Sequence, residues 1–231
     1  MNWRKVLNAL GPFLGLLLVV GLFSLNAEVR EFFLSPANFK IIVTQTVVVA
    51  IAALGMTLII VSGGIDLSVG SVIAFTGVLG AVMILKGSGA VVVVAATVLA
   101  GGLLGCLNGA IIGGLRMMPF IVTLGMLGVA RGAAKWLAGN QTVNFPASPV
   151  NELMAAGNSV PPGVWVALVL AVLMAVLMRQ TVFGRYAFAI GSNETAALFS
   201  GVRVRLMKFA IYSVAGLFFG TAGLMQLSRL R

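Results

Sequence analysis

Seven apolar stretches follow one another along this chain, each approaching the ~20 residues a helix needs to cross ~30 Å of hydrocarbon. They are Leu7 to Leu25, Ile41 to Val61, Ile65 to Leu85, Ala90 to Leu115, Phe120 to Leu137, Val164 to Met178 and Phe209 to Leu227. Charged residues collect between these stretches instead of recurring along helix faces, as in a chain whose solvent is lipid. Of the 231 residues, 60% are hydrophobic and 9% charged, and a water-soluble fold of this size has no way to cover so much apolar surface. The expected fold is all-α, a polytopic transmembrane helical bundle of about seven spans in a single domain, 1–231. The fifth stretch carries Arg131 and Lys135 and the sixth is short, so these two are the weaker spans, open to being tilted, broken or re-entrant.

Polarity within the chain sets the expected topology. The opening Met1-Asn2-Trp3-Arg4-Lys5 and the run to Leu25 resemble a secretory signal, but the run is too long and lacks a small-x-small cleavage site, so it reads as a retained first span. Fifteen Lys and Arg against five Asp and Glu give a net charge of +10. At the ends of membrane spans such charge holds loops in the cytoplasm and meets anionic headgroups, which explains it without nucleic acid. A cytoplasmic N-terminus puts Arg116 and the segment Arg179 to Lys208 inside, with Glu28 to Lys40 and Asn140 to Pro162 outside. Arg4, Lys5, Arg179, Arg185, Arg203, Arg205 and Lys208 favour this choice, while Arg229 and Arg231 run against it. The outer segment holds Pro146, Pro149, Pro161 and Pro162 and reads as a loop, either a connector or a docking site for an external partner.

The chain lacks the parts of an active site. Histidine is absent, Cys106 is the single cysteine, and the five carboxylates are scattered. Metal sites, catalytic triads and histidine acid/base chemistry therefore have no residues to build on. No catalytic residue, metal ligand or cofactor is expected, and any energy for transport has to come from another subunit or an ion gradient.

In the fourth stretch Gly101, Gly105, Gly109 and Gly113 recur every four residues and line one helix face. Without side chains there, a neighbouring backbone approaches closely. Gly216 and Gly220 repeat the device in the last stretch, which predicts a tightly packed bundle.

Two segments stand apart from this pattern. The first is Ser62-Gly63-Gly64-Ile65-Asp66-Leu67-Ser68-Val69-Gly70-Ser71, inside a region from Ile41 to Leu85 that contains no Lys or Arg. As a plain turn, Gly63 and Gly64 end one helix in left-handed geometry and Asp66 or Ser68 caps the amides of the next. As a functional element it is broken backbone inside the membrane, tolerated where it faces protein or a water-filled cavity. Both readings stand on the residues alone. A neutral, hydroxyl-rich solute suits such a lining, and the candidate pathway groups are Thr44, Gln45, Thr57, Gly63, Gly64, Asp66, Ser68, Gly70, Ser71 and, from another span, Asn108. Any single Ser or Thr among them has local backbone as its alternative partner.

The second segment runs from Phe183 to Val202, too mixed to span a bilayer and too apolar for a solvated loop. Short helices punctuated by Gly184, Gly191 and Gly201 are expected, leaving Ala196, Ala197, Leu198 and Phe199 exposed on a surface that headgroups or a protein partner would cover.

At these two segments the chain resembles the permease subunits of bacterial ABC importers for monosaccharides, the ribose-type group. Gly55 through Ser71 carries the closest match, supported by Pro119 to Leu124, Ala130-Arg131-Gly132, Gly184-Arg185-Tyr186, Gly191-Ser192-Asn193 and Ser200-Gly201-Val202. The resemblance implies a homodimeric permease in the bacterial inner membrane that forms a monosaccharide pathway, with a periplasmic sugar-binding protein and an ATPase subunit as partners. It also implies an ATPase-coupling loop of the EAA-x3-G kind, here Gly191, Asn193, Glu194, Thr195, Ala196, Ala197 and Gly201, with Thr195 in the Glu place. No Gly-x4-Gly-Lys-Ser/Thr loop occurs, so ATP is expected on the partner. The family extends beyond the position of Arg231, and the chain is read as C-terminally truncated. Two other readings are an ion-coupled secondary transporter, for which Asp66 is the only acidic candidate within a span, and a non-transporting remnant. The sugar itself is not legible.

Overall fold

The computed structural model describes residues 3–155 and 160–230, with side chains from residue 13 onward. The Arg231 position and residues 156–159 of the proline-rich loop lie outside the described residues. The chain forms two compact units, 1–43 and 44–231. Its helices are α1 (Trp3–Ser24), α2 (Ala27–Phe33), α3 (Pro36–Val61), α4 (Val69–Leu85), α5 (Ala90–Gly114), α6 (Pro119–Leu137), a 3-10 turn (Pro149–Leu153), α7 (Pro162–Gln180), α8 (Val182–Ser192), α9 (Glu194–Phe199) and α10 (Val204–Arg229). Among the described residues, α3, α5, α6, α7 and α10 are long and apolar enough to cross a membrane. The chain is an all-α membrane bundle, as its hydropathy requires.

In the first unit Asn26 starts α2 by accepting the amides of Glu28 and Val29 on its side-chain oxygen, the ordinary way a helix N-terminus satisfies its free donors. Phe23 of α1 stacks on Phe33 at the end of α2, ring centroids 5.5 Å apart.

The second unit is organised around α10. Ile211, Ala215 and Ala222 on this helix are fully buried, and Phe219, Met225 and Leu227 are nearly so. The glycine ladder of α5 is the seam against it. A Cβ on Gly101 would lie 2.5 Å from the Gly216 carbonyl oxygen and the Gly220 backbone, and one on Gly105 would collide with the Tyr212 carbonyl. Gly109 faces the Phe209 backbone at 2.8 Å and Gly113 faces the Arg205 carbonyl at 2.7 Å. The ladder and the Gly216/Gly220 pair thus belong to one interface, where close backbone approach replaces the hydrophobic drive that lipid does not supply. On other sides of α10, Gly55 of α3 fits against Phe218 and Phe219, and Gly223 of α10 fits beneath Thr76 of α4.

Three expectations are revised. The third stretch begins as a helix only at Val69, so α4 has 17 residues and Ile65 to Ser68 is irregular; the local bonding of Asp66 competes with helix there. α6 and α7 are continuous helices of 19 residues each. The buried stripe of α6 is Val122, Thr123, Met126, Ala130 and Ala134, and Arg131 and Lys135 stay exposed in its last two turns, close enough to the helix end for their long stems to carry the charge to the interface. Finally, Gly184 and Gly191 lie inside α8 and do not punctuate it. The break falls at Asn193, while Gly201 makes the turn after α9 at φ 85.

Candidate functional site

The break between α3 and α4 starts with a left-handed glycine. Gly63 has φ 79, its amide donates to the Ile60 carbonyl and the Gly64 amide donates to Ile59, both at 2.9 Å. This pair of bonds is the Schellman ending of a helix, which satisfies two otherwise free carbonyls. Only Gly63 takes the left-handed geometry. Gly64 is small for a different reason, since a Cβ there would stand 2.6 Å from the Tyr212 hydroxyl.

After the glycines the backbone is held by side chains from three helices. Asp66, 2% exposed, accepts the Ser68 amide at 2.7 Å and the Ser68 hydroxyl at 2.6 Å on the same oxygen. Its other oxygen accepts from Asn108 Nδ2 of α5 at 3.5 Å, and that amide also donates to Ser68 Oγ at 3.2 Å. Thr123 of α6 accepts the Leu67 amide at 3.2 Å and donates to the Ile65 carbonyl at 3.4 Å. The Tyr212 hydroxyl of α10 donates to the same carbonyl at 3.4 Å. A backbone segment with no helix of its own therefore finds partners inside the protein, the condition for irregular structure at membrane depth. The capping expectation changes accordingly: Ser68 is the N-cap of α4 without a side-chain cap bond, and Asp66 closes a local turn ahead of it.

Asn108 is 1% exposed and its Oδ1 has no partner among the described residues. It lies six residues before the end of α5, about 9 Å in from that end at 1.5 Å per residue. Thr123 is four residues into α6 and Tyr212 eight into α10, or roughly 6 and 12 Å. The ends in question are shared, because Gly113 of α5 meets Arg205 of α10 there and Pro119 at the start of α6 borders the same cavity as both.

The structure brings Asp66, Ser68 and Asn108 together, along with Gly64 through Tyr212. It does not gather the remaining candidates around them. Thr44 is buried on α3, Gln45 and Thr57 are exposed, and Thr57 donates to Ala53 within its own helix. Gly70 is exposed with nothing within 4 Å, and Ser71 is buried. Thr123 lay inside the matched segment Pro119 to Leu124 but was not singled out as a site residue, and Tyr212 escaped because a lone Tyr in an apolar helix carries no periodic signal.

The second segment meets the first directly. A Cβ on Gly191 of α8 would collide with the Val61 carbonyl, and Gly63 lies 3.5 Å away from the Gly191 Cα by the same test. At α9, the Asn193 side chain accepts the Ala196 amide at 2.9 Å, and Glu194 pairs with Lys208 at 2.7 Å. Thr195 and Ala196 are exposed, as are Leu198 at 55% and Phe199 at 85%. Ala197 is not exposed as expected. It is 5% exposed, in a small cluster with Ile190, Val202 and Val204, because the turn at Gly201 folds the chain back over it.

Replacing Asp66 with Asn tests this network. The Asn side chain keeps one acceptor for Ser68 but turns the other group into a donor facing the Asn108 amide. The expected cost is about 1–2 kcal/mol, read as a lowered melting temperature in detergent. No change would mean that the Asn108 contact is unimportant.

Comparison with known proteins identifies relatives. The family described as the branched-chain amino acid transport system / permease component matches residues 38–231. The ribose import permease of Bacillus subtilis (strain 168) is 38% identical over 233 residues, covering 100% of this chain and 71% of that protein. The ribose import permease of Escherichia coli (strain K12) is 36% identical over 207 residues, 85% of this chain and 64% of its own length. The D-allose transport system permease of the same strain is 31% identical over 231 residues, 99% of this chain and 70% of its own. No solved structure matches.

Proposed function

The chain belongs to the family of branched-chain amino acid transport system permease components, and from that membership we propose that it is the membrane subunit of an ABC importer for a monosaccharide. The observation that carries the sugar is the agreement of relatives named for ribose, allose and L-arabinose. Its partners in this reading are a separate ATPase, which binds the ATP, a periplasmic sugar-binding protein, and a second permease copy. The membrane is the bacterial inner membrane, with the N-terminus in the cytoplasm.

The network around Asp66, Ser68 and Asn108 borders the substrate route in this reading. Support comes from the irregular backbone this network holds between α3 and α4 and from the Asn108 Oδ1, a buried acceptor without a partner among the described residues. The Gly191 to Gly201 segment docks the ATPase, supported by Phe199, exposed at 85% on a short helix. An aromatic in such a position is a natural anchor for a partner pocket.

Reconstitution tests the reading. The chain, its ATPase and its binding protein in proteoliposomes are expected to accumulate labelled monosaccharide only when ATP is present. Phe199→Glu is expected to lower ATPase association at least about tenfold, the loss of one buried anchor. Uptake driven by a proton or sodium gradient without ATP would overturn the proposal.

A further inference from the structure

At the end of the bundle where α5 finishes and α6 and α10 begin lies a cavity of about 740 Å³. Four cations line it, Arg116, Arg203, Arg205 and Lys208, together with Glu194. Lys208 and Glu194 neutralise each other at 2.7 Å. The three arginines are exposed and have no carboxylate partner among the described residues. Three unpaired guanidinium groups around one cavity form a place for a multiply oxygenated anion, because the planar fork of arginine matches phosphate with paired hydrogen bonds.

Apart from Thr195, the remaining side chains of the lining are apolar. Met117 and Met118 come from the α5–α6 connector, exposed by 39% and 70%, and Leu206 from the first turn of α10, exposed by 58%. Two methionines on a connector between membrane-crossing helices suit a flexible hydrocarbon chain, since the thioether side chain adapts to irregular neighbours. An inorganic anion or an acidic peptide has no use for that wall. An amphiphile with a phosphate head uses both parts, and the site lies where three helices long enough to span the bilayer, α5, α6 and α10, have their ends. We propose that this groove binds an anionic phospholipid, phosphate on Arg116, Arg203 and Arg205 and the start of an acyl chain along Met117, Met118 and Leu206. Basic pockets between spans at a membrane face recognise lipid headgroups in this way. The inference requires that the chain spans a membrane and does not depend on the sugar; Glu194, Thr195 and Leu198 of the segment assigned above to the ATPase also line the groove, so lipid and ATPase share this end of the bundle.

Native mass spectrometry of the purified chain, titrated with phosphatidylglycerol or phosphatidylcholine in detergent, reads the outcome directly. The wild-type chain is expected to retain phosphatidylglycerol at least about tenfold better than phosphatidylcholine. The Arg116→Gln/Arg203→Gln/Arg205→Gln variant is expected to lose that preference, while Arg131→Gln/Lys135→Gln, at the opposite end of α6, keeps it. Equal retention of the two lipids by the wild-type chain overturns the proposal whether or not the triple variant folds. So does displacement of bound phosphatidylglycerol by glycerol phosphate or by octaglutamate at equal concentration, since either would mean that only the charges bind and that the groove is an anion or peptide site.

Discussion

Gly105→Ala is expected to lower the stability of the bundle by about 3 kcal/mol, toward the upper end of what overpacking a close interface costs. The added methyl would collide with the Tyr212 carbonyl, and the Gly216 backbone is only 2.9 Å from the same point. Backbone atoms cannot rotate aside as a side chain does, so α5 and α10 have to separate along the whole ladder from Gly101 to Gly113. Gly125→Ala in α6 has the opposite expectation. Nothing lies within 4 Å of its added methyl, and Ala is the better helix former by up to about 1 kcal/mol. Thermal unfolding of both variants in one detergent is the measurement. A Gly105→Ala chain as stable as Gly125→Ala would show that the two helices are not packed as described.

The second large effect is expected at Gly191. Its Cα side faces the Val61 carbonyl with no room for a methyl, and Gly63 stands beside it. Gly191→Val should therefore push α8 off the break between α3 and α4. Because α10 meets the same break through Tyr212 and α5 through Asn108, the bundle should still fold. Under the proposed function the loss falls on coupling: ATP-dependent sugar uptake drops at least about tenfold, the scale of a misplacement of about 1 Å at a working contact, while ATP hydrolysis by the associated ATPase continues. Uptake unchanged in Gly191→Val, with normal amounts in the membrane, would remove α8 from any role in transmission.

These two variants also separate what the glycines do. On α5 they form a periodic ladder, and periodicity is visible in sequence: positions four apart share a helix face in any helix, so a packing face followed from spacing alone. Gly191 has no such neighbours. It is small because a carbonyl from a segment 130 positions earlier in the chain lies against it, and no local pattern encodes that approach. The same holds for Ala197, which looks like one more exposed apolar residue in sequence but is covered by Val202 and Val204 after the turn at Gly201.

Membrane residence and helical fold followed from the sequence itself, because a hydrocarbon solvent leaves almost no alternative to helices for apolar runs of this length. The helix ends were mostly legible for the same reason. The irregular segment from Ser62 to Ser68 was visible as a break, and its left-handed glycine was readable from residue type. What the tertiary structure decided is how that break is held. Asp66 is satisfied by its own Ser68 and by Asn108, Thr123 and Tyr212 hold the backbone from α6 and α10, and Gly191 presses on it from α8. Apart from Ser68, each of these partners is distant in sequence, and hydrogen-bond complementarity between distant residues leaves no periodic trace. Only when the helices pack does each polar group acquire the neighbour that makes its burial affordable.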